Sequence, residues 1–168
     1  SRMPSERWAI HLHKENFKFS CAHFLIFPDG SKERLHGHNY YVDAEIEGLL
    51  TDKGIVIDFI QVKPVIRELC DELDEHWLVP GQHPELVVKP RDDGHTEVHY
   101  RGCHYLAPSE ELIVLPINNS SAENLATWFG RELVRRVQAR FGRTQIQKLR
   151  LAVSETSGQW GVYYYSDR

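Results

Sequence analysis

The stretch His36-Gly37-His38-Asn39-Tyr40-Tyr41-Val42-Asp43-Ala44-Glu45-Ile46-Glu47-Gly48 carries the longest alternation in the chain. His36, His38, Tyr40, Val42, Ala44 and Ile46 share one parity, and Asn39, Tyr41, Asp43 and Glu45 share the other. Only an extended strand turns a period of two into two faces. The run therefore reads as a strand over 36–48 whose apolar face covers a core and begins with two imidazoles. Upstream, residues 7–13 and 17–26 read as a strand pair broken near Lys14–Asn16, the second holding Phe17, Phe19, Cys21 and His23 on alternate positions. A turn at Pro28-Asp29-Gly30 follows.

Downstream, Val62, Val65, Ile66, Leu69 and Leu73 form the i, i+3, i+4, i+7 stripe of an amphipathic helix over 59–73, with Pro64 tolerable near its first turn. Residues 82–116 are less regular and read as short strands and a hairpin. A second helix is expected over 120–140: Ser120 and Glu123 form a capping box, and Leu125, Phe129, Leu133 and Val137 recur every fourth position. Two strands close the chain near 147–155 and 159–165. Strands mostly follow strands here, which predicts an α+β fold with antiparallel pairing.

Composition limits the function classes. The 168 residues carry 20 Lys+Arg against 24 Asp+Glu, a net charge of −4, with 41% hydrophobic residues. One domain of this length buries enough surface to fold without a staple, so a metal is expected for chemistry rather than structure. A pI near 6.2 lacks the basic excess of a nucleic-acid or membrane-surface binder. Without an apolar run of membrane-spanning length or a signal-peptide core, the expectation is a cytoplasmic protein. Cys21, Cys70 and Cys103 are widely spaced and odd in number, which suits reduced thiols.

The excess is in histidine, ten in all. His36 and His38, at i and i+2 of one strand, point to the same side and reach one metal ion. If the preceding strand pairs antiparallel, His23 joins them. Three neutral imidazoles leave a tetrahedral zinc one open position, as a catalytic site requires. Two rival groups are present. His11 and His13 also form an HxH pair, which reads as an exposed strand face, and His95, His99, Cys103 and His104 match no familiar zinc-finger spacing.

Six blocks, in order, make a resemblance: Phe19-Ser20-Cys21-Ala22-His23, Leu35-His36-Gly37-His38-Asn39-Tyr40, Gly54-Ile55-Val56-Ile57-Asp58-Phe59, Leu73-Asp74-Glu75-His76-Trp77-Leu78, Ser120 to Ala126, and Val153-Ser154-Glu155-Thr156. Together they resemble the 6-pyruvoyltetrahydropterin synthase and 6-carboxytetrahydropterin synthase superfamily over nearly the whole chain, apart from an extended segment at 82–113. The resemblance implies the tunnelling fold, an antiparallel sheet with two helices on one face. It also implies ring-forming homo-oligomers, trimers or hexamers, with active sites between subunits. By the same resemblance His23, His36 and His38 are zinc ligands, Glu155 holds the pterin ring, and Ser121 stands at the place of a threonine near that ring. A carboxylate suits the role of Glu155, because a pterin presents an amide N–H and an amino group side by side.

Two departures from the family pattern bear on chemistry. The synthases carry a catalytic cysteine shortly before the HGH motif, whereas this loop reads Ser31-Lys32-Glu33-Arg34-Leu35. A glutamate so placed resembles a variant group that cuts the substrate side chain to leave 6-hydroxymethyl-dihydropterin. Glu and Cys, with ordinary pKa values near about 4.3 and 8.5, are bases under different conditions. The family's catalytic histidine also directly follows its aspartate, whereas Glu75 separates Asp74 from His76. The expected machinery is then Glu33, Asp74 and His76, with Glu75 the runner-up, acting on a dihydropterin such as 7,8-dihydroneopterin triphosphate. The alternatives are 6-carboxytetrahydropterin synthesis, or a pterin- or purine-binding protein that has lost catalysis.

Overall fold

The computed structural model describes residues 4–56, 59–142, 146–156 and 158–167. Ile57 and Asp58 of the Gly54–Phe59 block lie outside the described residues, as do the side chains of Phe59 and Thr156. Strands β1 (Trp8–His23) and β2 (His36–Gly48) are followed by helix α1 (Phe59–Leu73), and then by β3 (His76–Pro80), β4 (Leu86–Pro90), β5 (His95–Tyr100) and β6 (Cys103–Pro108). A 3-10 turn leads into β7 (Leu112–Leu115), helix α2 (Ala122–Phe141), β8 (Lys148–Thr156) and β9 (Gln159–Ser166). Six strands form the main sheet in the order β7-β3-β1-β2-β8-β9, and β4-β5-β6 form a smaller sheet.

Tyr40, Val42, Ala44 and Ile46 of β2 are fully buried, on the parity that the sequence predicts. They share one core with Val62, Val65, Ile66, Leu69 and Leu73 of α1 and with Leu125, Phe129, Leu133 and Val137 of α2. The two helices therefore cover one face of the sheet. Arg136 of α2 joins them at their exposed edge, donating to Glu68 (3.2 Å) and Glu72 (3.1 Å) of α1 and to Glu132 (3.2 Å) of its own helix. Gly161 of β9 passes so close to the start of α2 that a Cβ there would lie 2.3 Å from the Ala122 backbone carbon.

Several expectations change. The predicted break at Lys14–Asn16 is absent: β1 runs through it, and the pairing with β2 shifts register between His13 and Lys18. Burial moves from even positions (Leu12) to odd ones (Phe17, Phe19, Cys21) across that bulge, so alternation lapses there without the strand ending. The sheet is antiparallel across β1-β2-β8-β9, but β3 lies parallel to both β1 and β7. The N-cap of α2 is Ser121, whose hydroxyl accepts from Asn124 N at 3.2 Å, rather than Ser120. Glu123 therefore sits one position too early for a capping box and is exposed. Pro64 lies in the second turn of α1.

The segment expected as an insertion builds the small antiparallel sheet. Leu86, Val98 and Tyr100 pack on Trp77, Val79 and Leu112, and with Phe24 and Ile26 they make a second core. β7 begins at Leu112, so the last residues of the 82–113 range already belong to the main sheet.

Candidate active site

Register brings the three histidines together. His23 pairs with His36 and Cys21 with His38 across β1 and β2, which places His23, His36 and His38 on the core side at the end of the ladder. One ligand nitrogen from each lies within 4.8 Å of the others. Main-chain carbonyls orient two of the rings, with His23 Nδ1 2.9 Å from Ser120 O and His36 Nδ1 2.6 Å from Arg34 O. A carbonyl accepts only, so these Nδ1 atoms carry protons and each Nε2 offers its lone pair. His36 Nε2 and His38 Nε2 are 2.8 Å apart. Nitrogens held at about 2.0–2.1 Å from a tetrahedral zinc stand roughly 3.3 Å from one another, a spacing near that of this pair. Burial pushes the pKa of His23 below its ordinary value, outweighing the Ser120 carbonyl, and favours the neutral ring that ligation needs. The donor set therefore fits a metal ion.

Two carboxylates stand beside this cluster. Glu33 Oε1 accepts from Leu25 N at 2.9 Å and lies 3.9 Å from His36 Nε2, and Glu33 N donates to Leu25 O at 2.9 Å. Glu155 Oε2, at the end of β8, is 3.5 Å from His38 Nε2 and accepts from Tyr40 Oη at 3.2 Å. The same hydroxyl lies 3.2 Å from His23 Nε2. Tyr40 is fully buried, and burial first, then Cys21 and Glu155, raises its pKa, so it remains a phenol that donates to Glu155 beside His23. From the sequence Tyr40 reads only as a core position on the apolar face of β2. The single available signal was its place two residues after His38 on the ligand face.

The remaining candidates lie elsewhere. The Asp74 carboxylate accepts from Ser20 N at 2.8 Å, and His76 Nδ1 bonds to the Asp74 main-chain carbonyl at 2.6 Å, so the hydrogen bond that orients His76 comes from the backbone. Between them Glu75 adopts a left-handed φ of 58° and its N–H donates to Ser20 O at 2.7 Å. That residue ends α1 and turns the chain into β3, which explains the extra position before His76. Glu75 and His76 line a cleft of about 600 Å³ with Trp77, Tyr105, Asn39 and His38. The cleft runs along Ser20, Ala22, Gly37 and Asn39, which alternate with the three histidines, and is lined also by Cys21 and His38, which pair across β1 and β2 on the histidine face. Among the described residues bordering it, neither Glu33 nor Glu155 occurs. Cys21 is buried, and burial pushes its thiol pKa up to about 12, which suits a core residue rather than a nucleophile. The Ser121 hydroxyl is engaged in capping α2.

A mixed sheet backed by two helices, presenting three histidines from adjacent strands, defines an α+β protein with a three-histidine cluster whose donor set fits a metal ion. The chain belongs to the 6-pyruvoyl tetrahydropterin synthase family, whose model matches residues 11–166. A putative 6-carboxy-5,6,7,8-tetrahydropterin synthase of Methanocaldococcus jannaschii is 33% identical over 147 residues, covering 87% of this chain and 88% of that protein. The crystal structure of 6-pyruvoyl tetrahydropterin synthase from Plasmodium vivax superposes with a TM-score of 0.88 at 27% identity, covering 96% of this chain and 99% of the other. Two further structures of the P. vivax enzyme, at the same TM-score and 26% identity, are variants in which a catalytic glutamate is replaced by alanine or by cysteine. Among the described residues no helix is long and apolar enough to cross a membrane.

Proposed function

We propose that the protein is a zinc-dependent lyase that cuts the side chain of a dihydropterin, 7,8-dihydroneopterin triphosphate being the simplest case, and leaves 6-hydroxymethyl-dihydropterin. The observation that carries this reading is Glu33: a carboxylate 3.9 Å from His36 Nε2, in a chain whose Cys21 and Cys70 are both buried. The catalytic glutamate of the similar P. vivax enzyme supports the same assignment. His23, His36 and His38 would hold zinc, which when bound acts as a Lewis acid that lowers the pKa of a side-chain hydroxyl.

The chain's own residues account for recognition and proton movement. Glu155 accepts the ring N–H and amino N–H of the pterin, while Tyr40 occupies the far lone pair of its Oε2 and fixes the carboxylate plane. Glu33 removes the proton from the hydroxyl on the second side-chain carbon. The bond between the first and second carbons then breaks, an aldehyde leaves, and the electron pair stays on the carbon conjugated with the ring. His76 returns a proton to that carbon. In one chain His76 lines a cleft that Glu33 does not border. In a homo-oligomer with sites between subunits, His76 of the partner subunit fills this role.

The names of the curated relatives favour a second reading, 6-carboxytetrahydropterin synthesis. One experiment separates the two. The zinc-loaded protein is incubated with 7,8-dihydroneopterin triphosphate, and both the pterin and the released fragment are identified. The proposed reaction yields 6-hydroxymethyl-dihydropterin and a phosphorylated two-carbon aldehyde, whereas acetaldehyde indicates the second reading. Pterin binding without turnover would remove both and leave a binding protein.

A further inference from the structure

The hairpin of β5 and β6 turns through Arg101 and Gly102, so Tyr100 and Cys103 form its closing pair, with His99 and His104 directly opposed one step further out. In a two-residue antiparallel hairpin the closing pair is hydrogen-bonded and the next is not. Side chains approach most closely at the non-bonded pair, where Cα atoms are ~4.5 Å apart. The two imidazole centroids are 4.5 Å apart, and His99 Nδ1 meets His104 Nδ1. The other nitrogen of His99, Nε2, lies 3.1 Å from Glu97 Oε1. A carboxylate accepts only, so Nε2 carries the proton and Nδ1 presents its lone pair toward His104. A carboxylate behind an imidazole, with the free nitrogen aimed at a second imidazole, is the arrangement that prepares a histidine for a metal.

We propose that His99 and His104 form a second transition-metal site, separate from the His23, His36 and His38 cluster, with Glu97 orienting His99. Two imidazoles select a borderline divalent ion such as Ni²⁺, Cu²⁺ or Zn²⁺ over Mg²⁺ or Ca²⁺, which prefer oxygen. In the ion-free protein a proton on His104 Nδ1 joins the two rings, and a bound ion takes its place. The other exposed pair, His11 and His13, lacks this convergence: both turn toward Asp43, at 2.8 Å and 3.4 Å, and their ring centroids are 6.4 Å apart. An ion at His99 and His104 ties β5 to β6. Tyr105, the next residue, walls the 600 Å³ cleft, so metal occupancy stiffens that wall.

The test is a titration of the zinc-loaded protein with Ni²⁺, followed by calorimetry, by thermal melting and by zinc analysis of the product. One Ni²⁺ per chain is expected to bind without displacing zinc and to raise the melting temperature. His104→Gln is expected to lose that equivalent and the thermal shift, and Glu97→Gln to weaken binding ten- to hundredfold. His13→Gln is expected to retain both. Because His104 is exposed and His99 only partly buried, the variants keep the fold, which the metal-free melting temperature checks. Unchanged Ni²⁺ stoichiometry in His104→Gln, or a loss that follows His13→Gln instead, would overturn the proposal.

Discussion

Replacing Glu33 by Gln separates the chemistry of this site from its architecture. Glu33 Oε1 accepts the Leu25 N–H at 2.9 Å, and a glutamine oxygen makes the same bond, so the loop before β2 should keep its shape. The stability cost should stay below about 1 kcal/mol, the difference between a charge-assisted and a neutral hydrogen bond. What glutamine cannot do is accept a proton. Loss of a positioned general base lowers kcat by about 10²–10⁴-fold, roughly 3–5 kcal/mol in the barrier. Glu33→Ala is the structural comparison: it leaves the partly buried Leu25 N–H without its side-chain partner and should cost about 1–3 kcal/mol, or several degrees of melting temperature. The assay is single-turnover product formation from the dihydropterin triphosphate, beside melting curves and zinc analysis of each variant. If Glu33→Gln keeps kcat within threefold of the parent while zinc content is unchanged, Glu33 is not the base, and its 3.9 Å approach to His36 is only a loop contact.

Four other outcomes follow from the geometry. His36→Ala or His38→Ala should remove zinc and activity together, while His11→Ala, whose ring bonds to Asp43, should leave both intact; metal analysis decides, and full zinc in a His36/His38 double variant would move the site elsewhere. Glu155→Gln should weaken pterin binding by roughly 2–4 kcal/mol in calorimetry without changing zinc content, because an NH₂ then faces a ring donor, and unaltered affinity would sink the assignment. With the Cys21 and Cys70 thiols both pushed up to about 12, only about one in ten thousand is ionised at pH 8, so Cys103 should be the first residue alkylated, and mass spectrometry finding Cys21 modified first would contradict its burial. The Glu132 carboxyl is held below its ordinary value, chiefly by its hydrogen bond to Arg135, so its stabilising effect is present above that ordinary value and fades as pH falls through the lower folded one; Glu132→Gln should flatten the acid limb of stability against pH, and an unchanged slope in urea melts would refute this.

Local periodicity determined most of what the sequence could determine. The limits of β2, both helix stripes and the shared side of His36 and His38 all follow from periods of two and 3.6, which side-chain direction imposes on any chain. The arrival of His23 needed one further assumption, antiparallel pairing of neighbouring strands, and Cys21↔His38 and His23↔His36 are that register. Other features depended on contacts distant in sequence. The bulge after His13 is visible only as a slip against β2, and β3 becomes a strand because β1 and β7 flank it in parallel, although its own five residues show little alternation. Asp74 lies two positions from His76 in the sequence, yet its carboxylate is drawn to Ser20 N, 54 residues away. The carbonyls of Ser120 and Arg34, which choose the tautomers of His23 and His36, are main-chain atoms common to every residue. No side-chain pattern encodes them, because their effect comes from where the folded backbone places them.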